Sequence, residues 1–162
     1  MPSLTGKAIA AFLIASIMAG PAMAQAKLVK ANNDWSLYKA QEGGTCFAAT
    51  LAKSKQPPSL NHGDNFFMVM KDEAKVSPQF VSGYSMNEKF TVKVTVGDES
   101  FDMFAEGNRA WLADSSQSDA LVAAMKAGSN MTVKAQSGRG NDTSYTFSLS
   151  GVTATIDGFS GC

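Results

Sequence analysis

Residues 89–105, "KFTVKVTVGDESFDMFA", decide the fold class. Phe90, Val92, Val94 and Val96 alternate with Thr91, Lys93 and Thr95. That period of two turns one face of an extended strand to an apolar interior and the other to water. Gly97-Asp98 is turn chemistry, and Phe101 and Met103 resume the alternation, so the stretch predicts a β-hairpin.

On either side the chain repeats the theme. DWSLYK (34–39), TCFAATLA (45–52), NFFMVMK (65–71), QFVSGYS (79–85), RAWLA (109–113), MTVKAQ (131–136) and TSYTFSLS (143–150) all read as strands. SKQPPSLNHGD (54–64) holds Pro57-Pro58 and Gly63 and reads as a loop. A helix is predicted over SQSDALVAAMKAG (116–128), with Ser116 and Asp119 as a capping box, Leu121, Val122 and Met125 on one face, and Gly128 at the end. The tail, VTATIDGFSGC (152–162), is open between a short frayed helix and an irregular strap. Many short strands with one short helix predict a mainly all-β chain, an antiparallel β-sandwich. Trp111 is expected in its core.

The first residues carry Lys7, an apolar run from Ala8 to Ala19, Gly20-Pro21, and Ala22 and Ala24 around Met23. This predicts a cleaved secretory signal over residues 1–24, cut before Gln25, with one domain over 25–162. The run is too short to span a bilayer, and no cysteine near the cut would take a lipid. A soluble periplasmic or secreted protein is therefore expected, without an integral membrane segment. The near-neutral charge, 14 basic against 14 acidic residues, shows no Lys/Arg cluster and argues against nucleic acid as a partner. Cys46 and Cys162 are expected to pair in an oxidising compartment, with two free thiols as the alternative.

Candidate chemistry is sparse. His62 is the one histidine, and no marked serine or cysteine nucleophile accompanies it, so catalysis is not expected. Met68 and Met70, two apart and shortly after His62, raise a copper(I) site, since thioethers select that ion. Against it, "FFMVM" is the continuous apolar run of a strand buried on both faces, and methionine packs cores well. The reading adopted has no cofactor. "AQSGRGND" (135–142) runs from strand to strand, so its glycines predict a hairpin turn and not a phosphate cradle. Arg139 and Asn141 on that turn are the candidates for a partner-binding loop.

A family resemblance rests on Ala110-Trp111, the helix end Leu121 to Gly128, Ser137-Gly138-Arg139-Gly140, Phe147-Ser148-Leu149 and Cys162, with Trp35 and Cys46 upstream. In these the chain resembles the invasion-associated locus B family of exported bacterial proteins, departing from its pattern at Asn141 and Tyr145. The resemblance implies an immunoglobulin-like β-sandwich and no catalytic residues. It also implies a binding or accessory role toward a protein or envelope component, linked by name to host-cell invasion.

Overall fold

Val92–Val96 and Glu99–Glu106 form the predicted hairpin, with Val96 opposite Glu99 across Gly97-Asp98. Its inward residues Val92, Val94, Val96, Phe101, Met103 and Ala105 are all buried, and Lys93 Nζ lies 2.6 Å from the Asp102 carboxylate on the wet face. The computed structural model describes residues 26–162, so the expected signal lies outside them. In chain order the strands are β1 (Ala26–Asn32), β2 (Trp35–Ala40), β3 (Cys46–Leu51), β4 (Ser54–Gln56), β5 (Phe66–Asp72), β6 (Lys75–Val81), β7 and β8 (the hairpin), β9 (Arg109–Leu112), β10 (Asn130–Gln136) and β11 (Asp142–Ser148). Helix α1 (Ser118–Ala127) precedes β10, and α2 (Val152–Asp157) follows β11.

All pairings are antiparallel, in the order β1-β2-β3-β5-β6-β9-β8-β7-β10-β11-β4. Only Ala52 and Lys53 separate β3 from β4, so one extended segment carries both the last strand of the series and the third strand from its other end. Ala52 N–H donates to Asn65 O beside β5, and the next amide, Lys53 N–H, donates to Thr146 O of β11. The sheet thus closes at this bend, with β1 and β2 as a flap beyond it. The mainly antiparallel β class is as the sequence predicts, and the two layers of the expected sandwich are joined as opposite walls of one sheet.

The walls meet through aromatic residues. Phe67 of β5 and Phe80 of β6 pack edge-on against Phe147 of β11 at 5.9 and 6.2 Å between ring centres, and Phe80 lies 5.4 Å from Tyr145. Each such side chain, fully buried, contributes roughly 1.5–3 kcal/mol. A second cluster, Phe47, Ala49 and Met68, sits on the other face of β3 and β5. The FFMVM strand is therefore covered on both faces, with Phe67 and Val69 buried on one and Met68 on the other between half-buried Phe66 and Met70, in keeping with its unbroken apolar run.

Helix α1 buries Leu121, Val122, Ala124 and Met125. The expected capping box is not made: a 3-10 turn, Ser115–Gln117, precedes the helix, and Asp114 accepts from Ser116 N–H. Those Ser116 hydrogen bonds hold the Asp114 carboxyl below the usual carboxylate range. Gly128 ends the helix with extended backbone, and the position is glycine for space, since a Cβ would come 2.6 Å from Val96 Cγ1. The tail resolves into a helix after all. α2 and a 3-10 turn, Gly158–Gly161, bury Val152, Ile156 and Phe159 over the open end of the sheet near Leu37. There Cys46 and Cys162 are joined in a disulfide.

Three expectations change. QFVSGYS leaves the sheet at Val81, and residues 54–56 of the presumed loop form β4. Trp111 is not in the core: strand parity turns Ala110 and Leu112 inward, so the indole stands partly exposed on the outer face, stacked on Phe104 at 5.7 Å. Among the described residues no helix is long and apolar enough to cross a membrane.

Candidate functional site

Three loops converge at one pole of the sheet: Asn61–Asn65 after β4, Ser82–Ser85 after β6, and the β10–β11 turn. Ser137 N–H donates to Asn141 O and Gly140 N–H to Ser137 O, which makes the last a hairpin turn, with Gly140 at φ +83°. Gly138 N–H donates across to Ser85 O. Between the loops lies a cleft of about 530 Å³ lined by Asn61, His62, Tyr84, Ser85, Arg139 and Asn141, among others.

The floor is built on close backbone contact. A Cβ on Gly83 would come 2.4 Å from His62 O, so only glycine lets the second loop lie on the first. Asn65, fully buried, donates to His62 O and Gly63 O at 3.1 Å each and accepts from Gly83 N–H, tying the two loops together.

His62 is 6 % exposed and fully engaged. Its Nε2 lies 2.7 Å from Pro57 O, which can only accept, and its Nδ1 lies 2.9 Å from the Tyr145 hydroxyl. That hydroxyl sits 2.9 Å from Tyr84 Oη, which reaches Thr143 Oγ1 at 2.6 Å, and Thr143 donates to Ala135 O. Burial, with the Tyr84 contact, pushes the Tyr145 phenol well up, so it stays neutral. The chain of hydroxyls runs from the cleft wall at Tyr84 to the buried imidazole. Removing the Tyr145 hydroxyl leaves the buried His62 Nδ1 without a partner, while Tyr84 keeps Thr143. Tyr145→Phe is expected to lower stability by about 1–3 kcal/mol, read as a shifted urea midpoint at unchanged slope.

This geometry does not support the copper reading that combined His62, Met68 and Met70. Met68 packs in the outer cluster with Phe47 and Ala49, Met70 lies half-buried at the edge of that cluster, and His62 has both nitrogens committed at the pole. The same commitment leaves the imidazole no free nitrogen for general base work. Among the described residues no three His, Cys, Asp or Glu side chains cluster as metal ligands. Arg139 and Asn141 do come together, exposed on the cleft rim, and Arg139 joins no ion pair among the described residues.

Sequence reasoning missed Tyr84, Tyr145, Asn65 and Gly83. Their signal was thin: Gly83 interrupts an apolar run, and Asn65 follows a turn, both ordinary loop features until the two loops are seen in contact.

A family profile described as "Invasion associated locus B (IalB) protein" matches residues 35–160. Among solved structures, the crystal structure of invasion associated protein B from Bartonella henselae matches with a TM-score of 0.62 and 14 % identity, covering 83 % of this chain and 97 % of that one. No curated protein sequence matches.

Proposed function

The chain belongs to the invasion-associated locus B family, and from that premise we propose that it is an exported, non-enzymatic envelope protein that binds another protein or an envelope component through its three-loop pole. On this reading residues 1–24 are removed on export, residues 25–162 work in the periplasm or outside the cell, and the role is accessory to contact with a host cell. The observation that carries it is the cleft rim. Arg139 and Asn141 stand exposed on a turn anchored by Gly138 N–H to Ser85 O, above a histidine whose nitrogens are both spent on structure. A fixed turn presenting a planar guanidinium suits recognition, because little freedom is lost on binding.

The test is a photo-crosslinking side chain placed at position 139 and, as a control, at Asp98 in the β7–β8 turn, each expressed in the native cell. A discrete adduct from position 139, absent from Asp98 and lost with Asn141→Ala, is the expected result. Equal labelling at both positions would sink the assignment of the pole. Arg139→Ala is expected to leave the melting temperature within about 2 °C, since a surface change away from special features stays within about 0.5 kcal/mol.

A further inference from the structure

A second, separate groove lies on the outer face of the sheet. It runs along β6 from Lys75 to Pro78, between that strand and the segment Ser115–Asp119, and ends at the stacked pair Phe104 and Trp111. Two adjoining hollows of about 420 and 370 Å³ share Ser77, Ser115 and Ser118 and make it continuous. We propose that this groove is a binding site for a neutral pyranose oligosaccharide, with Trp111 and Phe104 as its stacking platform.

Three observations converge. The first is the aromatic pair. Phe104 and Trp111 are cross-strand partners with ring centres 5.7 Å apart and planes 30° from parallel, and strand parity places both on the outer face, where Phe104 is 49 % exposed. An exposed, mutually braced aromatic pair presents a rigid negative π face, which attracts the polarised C–H bonds on the flat side of a sugar ring.

The second is the polar lining. Ser116 is spent on Asp114, through both its amide and its hydroxyl. By contrast the hydroxyls of Ser77, Ser115 and Ser118 and the carboxylate of Glu106, all lining the first hollow, enter no side-chain hydrogen bond or ion pair among the described residues. Hydroxyls that donate and accept, set beside one carboxylate, match the paired donor and acceptor character of sugar hydroxyls.

The third is charge. Glu106 and Asp119 face the groove against the single cation Lys75, so an anionic polymer is disfavoured and an uncharged one is not. The three steps from Lys75 to Pro78 span about 10 Å of strand, room for more than one ring.

The chain's two tryptophans make the test direct. Trp35 is fully buried, with its Nε1–H donating to Ser148 O at 2.9 Å, so a ligand at the surface perturbs Trp111 fluorescence alone. Full-length mature protein would be titrated with cellotetraose, maltotetraose and the β-1,4-linked tetramer of N-acetylglucosamine. A saturable change with at least one of them is expected, weakened at least about tenfold in Trp111→Ala and in Phe104→Ala, and unaltered in Arg139→Ala. Phe104→Ala removes an exposed ring and keeps the test alive if loss of Trp111 disturbs folding. No saturable response to any of the three sugars overturns the assignment. So does a Trp111 signal that instead follows protein concentration with a matching change in sedimentation, which would make the pair a contact between two copies.

Discussion

Cys162→Ser is expected to lower the free energy of unfolding by about 4–5 kcal/mol, the largest single effect foreseen for this chain. The bridge joins residues 116 apart in sequence, and the entropy that such a cross-link removes from the unfolded chain grows with the logarithm of the loop. Its native side is well prepared. Cys46 is 3 % exposed at the start of β3, and the tail carrying Cys162 is independently docked by buried Phe159 and Ile156, by Lys71 Nζ donating to Phe159 O at 2.7 Å, and by Lys126 paired with Asp157. Urea unfolding of the oxidised protein against Cys162→Ser, at equal slope, measures the difference. A loss below about 1 kcal/mol would mean that the tail already restrains the unfolded chain, or that packing alone holds α2 in place.

Gly151→Ala is the second. Gly151 sits at φ +93° between β11 and α2, a region that costs an L-residue about 1–2 kcal/mol. Space makes matters worse, because the new Cβ would stand 1.8 Å from Asn32 O, and overpacking adds roughly 1–3 kcal/mol. Asn32 has little freedom to retreat: its side chain donates to Thr155 Oγ1 at 3.0 Å, and the neighbouring Asp34 N–H donates to Ser150 O. A combined loss of about 3 kcal/mol, seen as a drop in melting temperature of well over 6 °C, is expected. Gly140→Ala is the internal control. Its φ is +83° but nothing lies within 4 Å of its Cβ position, so it carries only the backbone cost of about 1–2 kcal/mol. Equal losses at the two positions would show that Asn32 yields and that the overlap is not what matters.

Local pattern made much of this fold legible. Valines two apart gave β7, and the apolar face Leu121, Val122 and Met125 gave α1. The unbroken FFMVM gave a strand covered on both sides. What stayed hidden depends on partners remote in sequence. β4 is three polar residues, Ser54, Lys55 and Gln56, that pair only because β11 passes beside them. β1 is almost wholly exposed, so no alternation marks it. Trp111 was misplaced because bulk suggests burial, whereas its parity on β9 is set by Ala110, whose small side chain fits beneath the covering wall. At the pole, the glycine-rich turn with Arg139 and Asn141 was readable as a turn. The burial of His62 was not, because it needs Tyr145 from a strand 83 residues on and Gly83 from a separate loop.

The bend at Ala52-Lys53 also orders events in time. Its seam joins Ser54 to Thr146, the pairing with the largest sequence separation in the sheet. Long-range strand closure of this kind is slow, typically milliseconds to seconds, because the loop entropy is lost before the contact forms. A chain that emerges amino-terminus first, from a ribosome or through a translocating pore, therefore stays unsealed until Thr146 is out. Cys162 lies 16 residues beyond Thr146, so in a chain emerging in that direction the bridge to Cys46 becomes available only after the strand that seals the sheet has come out.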